Sequence, residues 1–437
     1  MRVLYSGLLS LATPVLLARL WWRGRRVPGY RQGIAGRLGW CPPRAGDAPL
    51  VWIHACSVGE TVAARPLVER LLALEPAPSV LLTTTTPTGA ETVARLFGAR
   101  VRHHYLPWDL PGAVGRFLDR QSPGLFIVME TELWPNLLAA CAQRGIPAVL
   151  ANGRLSERSA RGYGRVPGLS RPMLESLALL AVQGEADAAR FRALGAPPGR
   201  VRVTGNLKFE GALAPEAAAG ALRAAWGPAR PVWIAASTHP GEEGQILAAH
   251  ATLRRALPTA LLVLVPRHPE RAAECLRLPA LAGLPVARRS TGEACGADTA
   301  VYLVDTLGEL TAFYGAVDCA FVGGSLVRHG GHNCLEPAAV GLPVLVGPHC
   351  FNFAAITEGL AAAGGVLVVA DAEALATELG RLLQDPAACR AMGARARGFL
   401  DAHRGGLDTL WAALLPLLPG DGRAGGGDQG AAPPQCP

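Results

Sequence analysis

Leu50-Val51-Trp52-Ile53-His54-Ala55 runs into Cys56-Ser57-Val58-Gly59-Glu60-Thr61. An apolar stretch of strand length, closed by small residues and opening into a helical pattern, is the strand-to-helix unit of a parallel sheet covered by helices. The same unit recurs outward from here. Strands are expected at Leu50–Ala55, Val80–Thr84, Val101–Tyr105, Leu125–Met129, Ala148–Ala151 and Leu177–Val182, with helices between them at Thr61–Leu74, Leu133–Arg144 and Ala186–Leu194. A second series covers Val232–Ala236, Leu261–Val265, Val301–Val304, Cys319–Val322, Val344–Val346 and Val366–Val369. Between the two lies a linker, Thr204–Pro215, followed by an alanine-rich helix. The pattern predicts an α/β protein of two doubly wound, Rossmann-like domains, with ligands held at the carboxyl ends of the strands in a central cleft. The expected division is an anchor at 1–22, an N-terminal domain at 23–210, a C-terminal domain at 211–418 and a disordered tail at 419–437.

Composition agrees with two well-filled cores. Half of the 437 residues are hydrophobic and 17% charged, which excludes a disordered polyelectrolyte. Lys and Arg outnumber Asp and Glu by 42 to 34, and Lys208 is the only lysine. The arginines are spread without a basic stripe or interleaved stacking aromatics, so nucleic acid is not an expected partner. Ten scattered cysteines form no C-x-x-C pair, read as reduced thiols, and give no support to a metal site.

From Val3 to Trp22 the chain is almost wholly apolar, about the 20 residues that a spanning helix needs. Trp21-Trp22 and then Arg23, Arg25 and Arg26 follow, the order expected where an anchor leaves the membrane on its cytoplasmic side. A buried core helix and a signal sequence are the rival readings, and Pro14 also allows a helix lying in one leaflet.

Several loops at strand ends carry chemistry. Glu60 opens a helix, where the macrodipole favours its ionised form; it reads either as a general base toward a hydroxyl or as a helix cap. Glu130 and Glu132, one residue apart after Leu125–Met129, can orient a hydroxyl or a cation, with capping the competing role for Glu132. Lys208, at the linker, suits an anionic donor. In the second series Ser237-Thr238-His239-Pro240, Pro266-Arg267-His268-Pro269 and Gly323-Gly324-Ser325 follow successive strands, so their backbone amides are expected to meet phosphate, with Glu336 accepting from ribose hydroxyls. Neither G-x-G-x-x-G nor a P-loop is present, which disfavours dinucleotide and NTPase readings.

Taken together, "VWIHACSVGE", "TTTTPTG", "METELWPN", "NGRLSERS", "VTGNLKFE", "STHPGEE", "PRHPER", "VDTLGEL", "VGGSL" and "GGHNCLEPA" resemble, in order from about Tyr30 to Leu400, the 3-deoxy-D-manno-octulosonic acid (Kdo) transferases of lipopolysaccharide synthesis. That resemblance implies the two-domain GT-B glycosyltransferase fold, an N-terminal membrane anchor, and metal-free transfer of Kdo from CMP-Kdo to the lipid A precursor in the inner leaflet. By motif it implies Glu60 as base and Glu130 and Lys208 as transition-state stabilisers. Pro266, Arg267, Leu307, Gly308, Glu309, Asn333, Cys334, Leu335 and Glu336 would line the CMP site. Leu307 stands where the family commonly has methionine, a volume-conserving change. The expected location is the inner membrane with both domains cytoplasmic, the basic flank Arg23–Arg37 meeting an anionic surface. Other expectations remain open: a different GT-B transferase, a sugar-nucleotide epimerase, or a catalytically silent membrane-surface binder.

Overall fold

A computed structural model describes residues 1–210 and 216–420. The chain divides into two compact units, Met1–Glu210 together with the chain from Gly405, and Gly211–Arg404.

In the first unit β1 (Leu50–His54), β2 (Ser79–Thr84), β3 (Arg102–Tyr105), β4 (Leu125–Met129), β5 (Ala148–Gly153), β6 (Leu179–Val182) and β7 (Val201–Val203) make one parallel sheet. Its order is β3-β2-β1-β4-β5-β6-β7. Side chains alternate across a strand, so Leu50 and Trp52 enter the core on one face while Val51 and Ile53 enter the core on the other. Burial on both faces is why β1 reads as an unbroken apolar run. The order reverses between β1 and β4, and the loops after these two strands carry Glu60 and Glu130.

The second unit repeats the plan. Strands β8 (Val232–Thr238), β9 (Leu261–Pro266), β10 (Val286–Arg288), β11 (Val301–Leu303), β12 (Cys319–Val322), β13 (Val344–Val346) and β14 (Val366–Val368) pair in parallel in the order β10-β11-β9-β8-β12-β13-β14. Here the reversal lies between β8 and β12.

All twelve expected strands form, within a residue or two of their expected ends. The two missed, β7 and β10, are three-residue edge strands carrying Arg202 and Arg288. Edge strands need only one partner and tolerate charge, so they lack the apolar run that marks an interior strand.

The expected extent of the C-terminal domain, 211–418, needs correction. From Gly405 the chain returns to the first unit, where the helix Gly406–Leu414 buries Leu410, Trp411 and Leu414 in the core beneath the helix Val58–Leu72. Glu210 fastens the return, its carboxylate accepting from the backbone N–H of Gly405 at 2.9 Å and of Leu407 at 3.2 Å. Of the expected linker, Thr204–Glu210 belongs to the first unit and 211–215 lie outside the described residues; so does the tail from 421 onward. The N-terminal helix is longer than expected, running Arg2–Arg26. The nine described cysteines carry free thiols, and Cys436 lies outside the described residues.

Candidate active site

At the reversal of the first sheet, β1 ends in His54 and the chain turns through Ala55-Cys56 into the helix Val58–Leu72. Ser57 caps that helix and Glu60 stands at its third position, the spacing of a capping box. The Ser57 hydroxyl donates to Glu60 Oε1 at 3.0 Å and the Cys56 N–H to Oε2 at 2.8 Å. Glu60 is therefore both cap and buried acid. The dipole argument predicted a readily ionised carboxyl, and the structure reverses that sign. Burial, with Glu130 and Glu132 nearby, pushes Glu60 up to about 7 against the Cys56 and Ser57 hydrogen bonds. Desolvation and like charge outweigh a screened dipole.

Glu130 follows β4 with φ of +54°, a left-handed backbone that a β-carbon makes costly. Its own N–H donates to the Ala151 carbonyl at 3.0 Å, and its carboxylate meets Lys208 Nζ at 2.8 Å. Lys208 is placed by Asn152, another residue with φ of +54°, whose side-chain oxygen accepts from the Leu207 N–H at 3.0 Å. Buried Leu207 and Phe209 flank the lysine and fix its segment to the first unit.

Glu132 is no cap. The helix that follows starts at Pro135 and takes its side-chain cap from Asp109, and Glu132 instead lies 3.9 Å from His54 Nε2. Burial works against its charge, yet contacts with His54, Trp134 and Cys56 outweigh it and hold the carboxyl below the usual range. His54 is wholly buried, its Nδ1 at 3.0 Å from the Thr83 carbonyl. Nδ1 lies equally close, at 3.0 Å, to the Thr83 hydroxyl, and Nε2 faces Glu132. Three carboxylates thus gather at the ends of the adjacent strands β1 and β4, with one ammonium and one imidazole: Glu60 poised near neutrality, Glu130 paired with Lys208, Glu132 held below the usual range. Glu132 was expected beside Glu130, whereas His54 and Asn152 were not among the expected site residues. The signals that could have found them are the strand-terminal His and the Asn-Gly pair at 152–153.

In the second unit, the expected phosphate cradle at Gly323-Gly324-Ser325 is filled by the protein itself. Glu242, fully buried, takes the Gly324 N–H at 2.7 Å, the Ser325 N–H at 3.0 Å, the Leu326 N–H at 2.9 Å and the His239 N–H at 3.3 Å. These amides are thereby engaged, so the expectation that they meet phosphate is not sustained. Gly323 is required for this closure, since a β-carbon there would lie 2.7 Å from the Ser237 carbonyl oxygen and 2.8 Å from the Glu242 carboxylate.

Around this plug stand His239, His268, His329 and His332. His239 and His332 share a hydrogen bond between their Nε2 atoms at 2.8 Å, and His329 stacks on His239 at 3.7 Å between centroids. Burial, neighbouring imidazoles and Arg267 hold His239 and His332 down to about 4, so both are neutral at pH 7 and one donates to the other. Burial raises Glu336, opposed by Asn333, whose side-chain nitrogen donates to it at 3.2 Å, and by the charge of Arg267. The Arg267 and His268 side chains are exposed beside this group, following Pro266 at the end of β9. Buried Cys334 and Leu335 secure the start of the helix Leu335–Ala339. Gly308 takes φ of +86°, Leu307 is exposed, and Glu309 turns to Arg289 at 2.6 Å rather than to the histidines. Arg267 and the histidines thus stand together at the carboxyl ends of β8, β9 and β12.

Comparison with known proteins agrees with this architecture. A family model described as 3-deoxy-D-manno-octulosonic-acid transferase matches residues 32–211, and one for group 1 glycosyl transferases matches 292–399. The chain is 43% identical to a 3-deoxy-D-manno-octulosonic acid transferase of Haemophilus influenzae, over 95% of this chain and 99% of that one. It is 42% identical to the transferase of that name from Bordetella pertussis, with 95% and 99% covered. Among solved structures, a UDP-N-acetylglucosamine 2-epimerase aligns with a TM-score of 0.54 over 85% of this chain and 97% of that one; at 14% identity it shows the shared GT-B-like fold alone.

Proposed function

The chain belongs to the 3-deoxy-D-manno-octulosonic acid transferase family and is a glycosyltransferase, and from that premise we propose that it moves Kdo from CMP-Kdo to the lipid A precursor with inversion at the anomeric carbon. The observation that carries the proposal is Glu60: a carboxyl near 7 at the end of β1, beside the Lys208–Glu130 pair. A base with that affinity takes a proton at neutral pH without being permanently protonated.

An acceptor sugar hydroxyl attacks the anomeric carbon of Kdo while its proton passes to Glu60. The bond to the phosphate oxygen breaks, and CMP leaves with the electron pair. Lys208, oriented by Glu130, offers its ammonium to the anionic donor, and Arg267 meets the phosphate. Charge that grows on the leaving group is thus stabilised most in the transition state. Asn333 and Glu336 address the nucleoside. Because the cationic role falls to Lys208 and Arg267, the reaction needs no metal. The helix Arg2–Arg26 is long and apolar enough to enter a membrane. With eight arginines and no acidic residue before Asp47, the amino-terminal segment suits the anionic cytoplasmic face of the inner membrane.

Purified full-length protein, incubated with CMP-Kdo and a tetra-acylated lipid A precursor in EDTA, is expected to release CMP and to add the mass of Kdo to the lipid. CMP release without a heavier lipid would refute the acceptor, and loss of transfer in EDTA that added metal restores would refute the metal-free reading.

A further inference from the structure

The helix Arg2–Arg26 touches the first unit at both ends. Near its start Tyr5 lies beside Asp109, and the Ser6 hydroxyl, shared with the Arg2 carbonyl at 2.9 Å, meets the Asn136 side-chain oxygen at 3.0 Å. Asp109 is itself buried, capping the helix Pro135–Gln143 through the N–H groups of Asn136 at 2.9 Å and Leu137 at 2.7 Å. Near its end, Gly24 packs on Arg31, and the chain just beyond is seated on the first unit, Gly29 against Pro87 and Gly33 against Tyr105. Between these points Leu9, Ala12, Leu16 and Leu20 are half-buried, at helical spacings of three and four. The start of the helix is therefore held on the unit, its end continues directly into chain seated there, and the flank between is partly covered.

Such contacts exclude a crossing geometry. From Tyr5 to Gly24 an α-helix rises roughly 29 Å, close to the ~30 Å thickness of the hydrocarbon layer. With Arg23–Arg26 at the cytoplasmic interface, a spanning helix would carry Tyr5 to the far side of the bilayer, away from Asp109 and Asn136.

The opposite flank is an uninterrupted apolar stripe: Leu4, Leu8, Leu11 and Val15, 60–79% exposed, then Trp22 at 59%. Hydroxyls within the helix are satisfied by it, Ser10 donating to the Ser6 carbonyl at 2.7 Å and Thr13 to that of Leu9 at 2.9 Å. Trp21 and Trp22 lie beneath the guanidinium groups of Arg25, Arg26 and Arg31, at 4.5–5.7 Å from ring to charge. Apolar face, interfacial tryptophans and arginines without acids fit one occupant, a leaflet with anionic headgroups.

We infer that the helix Arg2–Arg26 lies flat in one leaflet, its Leu4–Leu8–Leu11–Val15–Trp22 stripe in the acyl region and its other flank on the first unit. The contact of the helix at Asn136, and those of the chain just beyond it at Pro87 and Tyr105, lie at or just past the carboxyl ends of β4, β2 and β3, the same side of the sheet that carries Glu60, Glu130 and Lys208. The helix thus sets the catalytic edge at the lipid surface, where a lipid-linked acceptor reaches Glu60 without leaving the leaflet. This deepens the transferase reading and rests on it only for the acceptor.

The test uses the full-length protein with an epitope tag ahead of Met1. A flat helix keeps the tag cytoplasmic: protease removes it from inside-out vesicles and spares it in spheroplasts. Removal in spheroplasts and protection in inside-out vesicles would overturn the inference. A second arm measures partitioning of purified protein onto phosphatidylglycerol vesicles. Leu8→Gln with Leu11→Gln, on the exposed stripe, is expected to weaken it at least tenfold, and unchanged partitioning would count against the stripe. Transfer to detergent-dispersed acceptor is assayed in parallel. A tag on the outside with transfer intact overturns the flat helix alone, whereas a cytoplasmic tag without transfer supports the helix and strikes only the transferase reading.

Discussion

Replacing Glu60 by glutamine should move stability and turnover in opposite directions. The side chain is 9% exposed, and its carboxyl is pushed up to about 7. The unfolded chain ionises the same group near its ordinary ~4.5. A folded-state value above the unfolded one contributes stability that is complete below ~4.5 and is lost as pH rises through 7. A gap of about 2.5 between the two values, at 1.36 kcal/mol per pH unit, makes that loss about 3 kcal/mol by pH 8. Glutamine does not titrate. Its oxygen still accepts from Cys56 N–H and its amide donates to Ser57 Oγ, so the capping box survives. Between pH 4.5 and 8 the stability difference should therefore shift toward Glu60→Gln by about 3 kcal/mol, a relative gain of several degrees in Tm. Transfer should fall about 10²–10⁴-fold, the usual range for a general base, with CMP still bound. In the unsubstituted enzyme kcat/KM should rise with pH through about 7; in the variant that step should vanish. Thermal melts at several pH values and CMP release with lipid acceptor measure both. A variant that keeps near-full activity, or a stability difference that ignores pH, would refute the assignment.

Lys208→Ala should lower turnover on the order of 10²-fold while changing the Kd for CMP little, because its 2.8 Å partner is Glu130 of the same unit. Parallel kinetics and CMP titration decide this, and an unchanged rate would leave Lys208 no part in turnover. Glu242→Ala strips four backbone N–H groups of their acceptor. It should cost about 3–5 kcal/mol, visible as a lower Tm and weaker CMP binding. A Tm within error of the parent would show that this carboxylate does not hold the loop.

The sheets were legible because their interior strands are buried on both faces. Leu125–Met129 is an unbroken apolar run of strand length, whereas the arginine-bearing edges β7 and β10 leave no such trace. The site was legible as far as strand ends reveal it. Glu60, Glu130 and Lys208 do converge, but spacing does not disclose a carboxyl's environment, so the sign of the Glu60 shift was missed. The same limit hid Glu242. In Thr238-His239-Pro240-Gly241-Glu242-Glu243 nothing distinguishes the glutamate that folds back onto the loop after β12 from the one that pairs with Arg271 at 2.6 Å. The return of Gly406–Leu414 to the first unit was equally silent, because an amphipathic helix declares that it has an apolar face without declaring which sheet receives it.

Glu60 shows that capping a helix and being poised as a base do not exclude each other. A capping box fixes a carboxylate in place by two hydrogen bonds, and both bonds favour its charged form. Alone, they would leave Glu60 a weak base, ionised far below neutrality. Burial and the two glutamates after β4 act in the other direction and prevail. Lys208 is committed to Glu130 at 2.8 Å, while Glu132 turns to His54 and is held below the usual carboxylate range beside Glu60. Orientation thus comes from the helix and basicity from the next loop. Neutralising Glu132 rather than Glu60 should then lower the base's affinity for its proton while leaving its position intact. That makes a Glu132→Gln pH profile shifted to lower pH the sharpest sign that these carboxylates work as one group.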